Sequence, residues 1–365
     1  LSLDNHEPFS CLFRDFCRFN DRVFFRTPIP FWRSLVKQAD KNHRSLYADW
    51  HIPMQTSTIT SDTLSSSVIA VPPLARNSDE TLNTPENEKQ IRHLESGGVT
   101  TLLYGGNAIL YHVALSEYAS LLELLATAAA ENTLVIPSVG PAYGTMMEQA
   151  AVLREFAFPT AMILPQRDVT TSSGVASAVR RFVEKIERPA LLYIKHEGYI
   201  DVADVRNLIE DNLLSGIKYA IVRDDPSEDN YLRSLTDNVD TGRVVSGIGE
   251  QPALIHLRDF KLSGFTSGCV CIAPYRSMEL LHALKSGDYP TAAKIQNSFR
   301  PLEDLRNSIN PVRVLHRAVE LAGIAQMGPL LPLLSDVDPG QASGIQDAAC
   351  QLLEWERQGA KSSAS

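Results

Sequence analysis

The sequence predicts an α/β protein, a (β/α)8 TIM barrel with additional C-terminal helices. From residue 67 onward, continuous apolar runs of strand length alternate with amphipathic helical windows. This alternation is typical of a parallel sheet that helices cover on both faces, and eight such units over roughly 210 residues fit a closed barrel. An open doubly wound sheet would need a G-x-G-x-x-G turn after its first strand. The first glycine of the chain is Gly97, so that turn is absent.

The predicted elements follow one another in regular order. Eight strands are predicted at 67–74, 99–105, 133–140, 159–165, 189–195, 216–222, 242–247 and 264–273. The clearest helical windows between them are 116–132, 145–157 and 174–186. After the eighth strand, further helices are predicted within 277–309 (two helices that meet at Gly287 and Asp288), at 311–324 and near 342–357. These helices add a cap to the barrel rather than a second catalytic domain.

The domain organisation follows from these elements. We expect an N-terminal extension over 1–66, the barrel over 67–286, a helical cap over 287–358 and a tail over 359–365 that is frayed at its last five residues, KSSAS. Residues 1–53 are rich in phenylalanine and contain no glycine, so a helical stripe that packs on the barrel is one interpretation. Met54 opens a Ser/Thr-rich stretch, which favours the other: an upstream segment, non-native or flexible up to Met54.

Composition excludes several classes of function. The 365 residues are 44% hydrophobic and carry a net charge of −9 without a basic block, which argues against nucleic acid or an anionic membrane as partner. The five cysteines show no C-x-x-C spacing and the nine histidines form no metal-binding motif, so we expect neither a metal nor a cofactor. A reducing cytoplasm fits this cysteine usage.

Several motifs carry a family resemblance. GGNA (105–108) ends the second predicted strand, and Ser116-Glu117 opens the next helix. LKSGDYPTAAKI (284–295) and LHRAVELAGIAQMGPLLPLL (315–334) lie near the C-terminus. Together they resemble the dihydrodipicolinate synthase / N-acetylneuraminate lyase family. The resemblance implies a 2-oxo-acid aldolase-type barrel that forms homo-dimers or homo-tetramers and binds a small anionic metabolite, a 2-oxo acid or sugar acid.

The catalytic positions of that family look altered here. The run GIKYAIVRDD (216–225) resembles the sixth barrel strand, where a family lysine forms a Schiff base with a 2-oxo acid. This alignment places Arg223 at the lysine position, and a guanidinium cannot serve as the amine nucleophile. Arg167 stands where the family has a proton-relaying tyrosine. The alignment therefore predicts a divergent member that lacks both the Schiff-base lysine and the catalytic tyrosine.

Arg223 and the neighbouring lysines each have two interpretations. Arg223 either binds a substrate carboxylate or pairs with Glu197 or a nearby aspartate to hold loops together. Lys195 closes the fifth predicted strand and is either a displaced amine nucleophile or one half of an ion pair. Lys218 is expected at the start of the sixth strand, at the bottom of the barrel and away from the site.

The remaining candidates bind substrate. Gly105 and Gly106 form a turn that can offer backbone N–H groups to an anion, or that is only a tight turn. In the family, the turn at this place holds the 2-oxo-acid carboxylate, and the resemblance extends this role to Asn107. Val270 completes the substrate-binding candidates.

Two functions remain open. The first is a lyase, aldolase or hydro-lyase on a 2-oxo acid or sugar acid, with Arg223, Arg167 and Lys195 as candidate catalytic residues. The second is a catalytically inactive homologue that binds a small anionic ligand. Ordinary dihydrodipicolinate synthase activity is not expected in either case.

Overall fold

A computed structural model describes residues 54–363 of the chain. The chain divides into two units, Leu1–His51 and Ile52–Ser365, and everything that follows concerns the second. Its core is a nine-stranded parallel sheet in the order β3-β2-β1-β9-β8-β7-β6-β5-β4. The strands are β1 (Ile69–Ala70), β2 (Thr101–Leu103), β3 (Leu134–Ile136), β4 (Ser138–Val139), β5 (Met162–Ile163), β6 (Ala190–Ile194), β7 (Leu214–Tyr219), β8 (Val244–Ser246) and β9 (Gly264–Ser267).

The sheet closes into the predicted barrel through one interrupted strand. β3 and β4 are separated only by Pro137, whose missing N–H cannot continue a ladder. β3 pairs with β2, and β4 pairs with β5. The two short strands therefore fill one of eight positions around the barrel, and the fold is a (β/α)8 barrel as predicted. Counted in this way, β2 and β7 occupy the second and sixth positions and lie opposite each other.

One short helix of the described chain precedes the first strand, and the helices that follow the strands cover the outside of the barrel. They are α1 (Ser61–Ser65), α2 (Thr84–Ser96), α3 (Leu115–Ala128), α4 (Tyr143–Leu153), α5 (Ser172–Ile186), α6 (Val202–Glu210), α7 (Asn230–Asn238), α8 (Ala253–Asp259), α9 (Pro274–Ser286), α10 (Tyr289–Ser308), α11 (Pro311–Leu321) and α12 (Pro339–Ser363). Several start with side-chain caps, as at Asn83, Thr171 and Asp229. None of the helices in residues 54–363 is long and apolar enough to cross a membrane.

The bottom of the barrel is plugged by α1. Leu64 is fully buried, and a Cβ on Gly216 of β7 would lie 2.6 Å from its Cδ1 and 3.1 Å from Cδ1 of Leu191. Gly216 therefore faces the barrel interior, where no side chain fits beside the plug. Since side chains alternate along a strand, the other inward-facing position near the end of β7 is Lys218.

Ordered structure extends to both ends of the described chain. Met54 is buried, and the N–H of Gln55 donates to the Thr133 carbonyl at 3.0 Å, so residues 54–66 pack on the barrel. The predicted flexible segment before Met54 lies outside the described residues. At the other end, α12 continues to Ser363.

Candidate active site

Lys218 lies at the carboxyl end of the barrel, not at its bottom. It is the fifth of the six residues of β7, and the sheet register places it beside Tyr193 of β6. The prediction that Lys218 opens the strand was wrong, because β7 begins at Leu214 and ends at Tyr219. The carboxyl ends of barrel strands are where barrel enzymes build their active sites. Lys218 therefore belongs to the candidate site.

The ammonium group of Lys218 has an unusual environment. The residue is only 4% exposed, and its Nζ lies 4.5 Å from the centre of the Tyr193 ring. Within residues 54–363 the ammonium group of Lys218 forms neither an ion pair nor a hydrogen bond. Burial lowers the pKa of Lys218 to about 7, and the positive charges of Lys195 and Arg306 add to the effect. A large fraction of this lysine is therefore neutral near pH 7, as an amine nucleophile requires.

Tyr193 forms the wall of the site next to this lysine. It is 7% exposed, and burial raises its pKa, with Tyr111 adding to the rise. Burial also raises the pKa of Tyr111 to about 12, and that of Tyr199 rises for the same reason. All three phenols thus stay protonated at neutral pH. Tyr193 is the one whose ring contacts Lys218, so its hydroxyl is the candidate proton donor of the site.

The Gly105–Asn107 turn follows β2, on the opposite side of the barrel from Lys218. A Cβ on Gly105 would lie 2.7 Å from Cε of Met162 and 3.1 Å from Oγ of Ser138, so only glycine fits there. The N–H groups of Gly106 and Asn107 donate no hydrogen bond within the described chain. The Asn107 side chain is already used, because its amide donates to the Val71 carbonyl at 2.8 Å. The turn can therefore offer backbone N–H groups to an anion.

Arg223 belongs to an ion-pair network that follows β7. It is four residues beyond the end of β7, and its guanidinium pairs with Glu197 and with the fully buried carboxylate of Asp229, 3.0 Å from Nε. Asp229 also caps α7 by accepting from the Leu232 N–H. These bonds raise the pKa of Arg223 still further. Of the two predicted interpretations, the contacts fit a clamp that joins loops.

Lys195 and Arg167 lie at the rim of the mouth. Lys195 directly follows β6, two residues after Tyr193, so it continues the inward-facing row of that strand. Arg167 follows the neighbouring strand β5 by four residues. Both residues are exposed, and partial desolvation together with the charge of Arg167 lowers the pKa of Lys195. Neither side chain forms an ion pair within residues 54–363.

Val270 lies in the short 3-10 helix Cys269–Cys271 that follows β9, and it is fully buried. Its N–H donates to Oγ of Ser267 at 2.9 Å. That hydrogen bond takes its only polar donor, so a polar contact with a substrate could come only from its carbonyl oxygen.

A buried acidic cluster lies beside the site. A carboxylate oxygen of Glu250, one of Glu303 and the Cys269 thiol lie within 4.8 Å of one another, which makes them the metal-binding candidates in the described chain. Burial raises the pKa of both carboxyls, so the pair holds a proton. The Arg306 guanidinium donates to Glu303 at 3.1 Å and to the Ile248 carbonyl at 3.2 Å. With a proton and a guanidinium supplying positive charge, we interpret the cluster as a link between the barrel and α10 rather than a metal centre.

The sequence-based reasoning missed Lys218 and Tyr193 as a pair. The available signal was a lysine inside an otherwise continuous apolar run, GIKYAIV. Such a lysine must be buried with the strand, and burial is what makes an amine reactive. The pairing with Tyr193 required the strand register, which the sequence alone does not give.

Comparison with known proteins agrees with this architecture. No protein-family model matches the chain. A curated relative, the 4-hydroxy-tetrahydrodipicolinate synthase of Methanosarcina barkeri, is 26% identical over 182 residues, which cover 47% of this chain and 58% of that protein. The match thus spans less than two thirds of that relative's length.

Solved structures extend the similarity to the whole fold. The dihydrodipicolinate synthase of Bacillus clausii superposes with a TM-score of 0.70 at 22% identity, over 80% of this chain and 99% of that chain. The enzyme of Oceanobacillus iheyensis gives 0.67 at 21%, over 82% and 100%. YagE, an E. coli K12 prophage protein of the dihydrodipicolinic acid synthase family solved in complex with pyruvate, gives 0.69 at 19%, over 78% and 98%. The predicted resemblance to the dihydrodipicolinate synthase family is confirmed.

Proposed function

We propose that this chain is a lyase of the aldolase type that acts on a 2-oxo acid through a Schiff base at Lys218. The observation that carries the proposal is the Lys218 environment, a buried amine without an acidic partner and with a pKa of about 7. A buried, uncompensated lysine costs the fold free energy, and nucleophilic catalysis is a known use of such a group. The fold and the names of its relatives support the reaction class.

The chemistry follows from the two adjacent side chains. The neutral amine of Lys218 adds to the C2 carbonyl of the 2-oxo acid. The phenol of Tyr193 donates a proton to the resulting hydroxyl, which leaves as water, and an iminium remains. The iminium withdraws electrons from C3, so that a bond at C3 can break while its electron pair is held as an enamine. Protonation at C3 and addition of water then release the product, and Tyr193 recovers its proton.

The opposite wall of the barrel suits the substrate carboxylate. The free N–H groups of Gly106 and Asn107 follow β2, and β2 lies across the barrel from β7. A small 2-oxo acid that spans this distance would hold its carboxylate at the turn and its C2 at Lys218. The pyruvate complex of the E. coli relative supports a 2-oxo acid as the class of ligand.

This proposal changes the roles predicted from the sequence. Lys218 and Tyr193 supply the amine and the phenol that the alignment had assigned to the positions of Arg223 and Arg167. Gly105, Gly106 and Asn107 keep their predicted role in substrate binding. The choice between carbon–carbon and carbon–oxygen bond cleavage, the homo-oligomeric state and the cytoplasmic location stay predictions.

Reductive trapping tests the proposal. The protein is incubated with pyruvate and cyanoborohydride, digested, and mapped by mass spectrometry. We expect one adduct, on the peptide that contains Lys218, and its loss in Lys218→Met. A Lys195→Met variant distinguishes the two lysines, since it loses the adduct only if Lys195 is the nucleophile. An unmodified wild-type protein would refute the proposal and favour the alternative of an inactive homologue that binds an anion.

A further inference from the structure

A tyrosine stands over the turn that follows β2. A Cβ placed on Gly106 would lie 3.8 Å from Cε2 of Tyr111, and apart from the adjacent residues no other heavy atom of the described chain comes within 4 Å of that position. The Cε carbons of a tyrosine are next to the ring carbon that bears the hydroxyl. The hydroxyl end of the Tyr111 ring therefore borders an open space beside Gly106, at the carboxyl end of a barrel strand.

The backbone bends so that Tyr111 returns to Gly106. The N–H of Ile109 donates to the Gly106 carbonyl at 3.0 Å, and the N–H of Leu110 donates to the Gly105 carbonyl at 3.2 Å. Ile109 has a φ of 56°, in the left-handed region that a β-branched residue rarely adopts. Ile109 and Leu110 are only 6% and 2% exposed, so core packing holds this strained bend in place. Strain that the surrounding packing maintains is found preferentially at functional sites.

Three hydrogen-bond donors border the open space. The N–H groups of Gly106 and Asn107 and the hydroxyl of Tyr111 donate to no other group in the part of the chain that the structure describes. Tyr111 is half-buried, and burial raises its pKa to about 12, so the phenol keeps its proton at neutral pH. A protonated phenol can donate to an anion, in the same direction as the two backbone groups.

The spacing of these donors suits a carboxylate. One oxygen that accepts two hydrogen bonds of about 2.8 Å separates its donors by roughly 5 Å, and the two oxygens of a carboxylate bridge a wider gap. The contact between the Tyr111 ring and the Cβ position of Gly106 is 3.8 Å, which brings the phenol within that reach. The turn itself is fixed, because the Asn107 side chain donates to the Val71 carbonyl at 2.8 Å.

We propose that the Tyr111 hydroxyl donates a hydrogen bond to the substrate carboxylate at the Gly106–Asn107 turn and so fixes the 2-oxo acid for attack by Lys218. This inference rests on the proposed Schiff base at Lys218. It divides the work between two phenols on opposite sides of the barrel. Tyr193, beside Lys218, supplies a proton to the reaction, and Tyr111, beside the turn, binds the substrate.

Saturation curves for reductive trapping test the inference. The rate of adduct formation with cyanoborohydride is measured against pyruvate concentration in the wild type and in Tyr111→Phe. We expect the half-saturating pyruvate concentration to rise about tenfold in the variant, because a hydrogen bond to a charged group is lost. The rate at saturating pyruvate should stay unchanged, whereas Tyr193→Phe should lower that rate.

A matched control comes from another half-buried tyrosine. Tyr289, the first residue of α10, also has a hydroxyl without a hydrogen bond in the described chain. Tyr289→Phe should leave the half-saturating pyruvate concentration at its wild-type value. The urea unfolding midpoint of Tyr111→Phe should also equal that of the wild type, because the fold loses no hydrogen bond.

Acetone separates the carboxylate from the reacting carbonyl. Acetone forms an imine with an amine but has no carboxylate, so Tyr111→Phe and the wild type should be trapped with acetone at the same rate. If the variant loses as much with acetone as with pyruvate, the hydroxyl does not act on the carboxylate and the inference is overturned.

The remaining outcomes separate the two proposals. An unchanged half-saturating pyruvate concentration in Tyr111→Phe overturns this inference and leaves the Schiff base at Lys218 standing. A wild-type protein that forms no adduct with pyruvate overturns the proposed function, and this inference with it.

Discussion

Replacing Lys218 with methionine should make the folded protein more stable. Lys218 is 4% exposed, and burial lowers its pKa from 10.5 to about 7. Each pKa unit corresponds to about 1.36 kcal/mol. Burying this lysine therefore costs the folded state at most about 5 kcal/mol, at any pH at which the unfolded chain carries the lysine protonated. Methionine is unbranched and fits an apolar site without that cost.

The sign of the pH dependence follows from proton binding. Between pH 7 and pH 10.5 the unfolded state binds more protons at Lys218 than the folded state does, so the wild type gains stability as the pH rises. The stabilisation by methionine is therefore complete below pH 7 and disappears toward pH 10.5. We expect Lys218→Met to raise the free energy of unfolding by about 5 kcal/mol at pH 6 and by about 2 kcal/mol at pH 9.

Urea unfolding at the two pH values measures this difference. Lys185→Met, on the exposed face of α5, is the control for a lysine-to-methionine change without burial, and its effect should be small and independent of pH. A Lys218→Met variant no more stable than the wild type at pH 6 would refute the reasoning. A stability difference between the variant and the wild type that is as large at pH 9 as at pH 6 would also refute it, because burial would then not be what keeps the lysine neutral.

Three further outcomes test the site. The rate of adduct formation at saturating pyruvate should rise with pH through about 7 and level off above it, because only the neutral amine of Lys218 attacks the carbonyl. A rate that falls over this pH range would contradict the assignment of Lys218 as the nucleophile. Tyr193→Phe keeps the ring beside Lys218 and removes the proton donor, so the adduct should form roughly 10²-fold more slowly, and an unchanged rate would exclude the phenol. Gly247→Ala would place a Cβ 2.7 Å from the Tyr219 carbonyl and 2.9 Å from Cγ of Lys218. It should lower the free energy of unfolding by about 1–3 kcal/mol. Gly144→Ala, which meets nothing within 4 Å, should not lower it.

The fold could be read from the sequence because its signal is repeated. Each predicted strand is an apolar run, and a helical window follows it. A wrong boundary at one strand therefore does not change the number of strand–helix units, which is eight. The closure of the barrel at Pro137 shows the same redundancy, since two short strands still appear in the sequence as one run, 133–140.

The position of each residue within its strand could not be read in this way. Ala220 and Ile221 are 5% exposed although β7 ends at Tyr219. Apolar residues that stay buried beyond the last residue of the strand lengthen the run at its carboxyl end and so displace the predicted strand. This displacement put Lys218 at the bottom of the barrel and Arg223 at the top. Hydrophobicity reports burial, and strand limits are set by backbone pairing.

The two lysines at the mouth illustrate how depth in the barrel decides their chemistry. Lys218 is on β7 and Lys195 directly follows the adjacent strand β6, and the positive charge of Lys195 adds to the lowering of the Lys218 pKa that burial causes. Lys218 is buried among apolar groups and approaches neutrality near pH 7, so it can attack a carbonyl. Lys195 is exposed, so it loses less hydration than Lys218 does, although desolvation and the charge of Arg167 lower its pKa as well. The nucleophile is therefore identified by its register in the sheet and its burial, and not by its place in a motif.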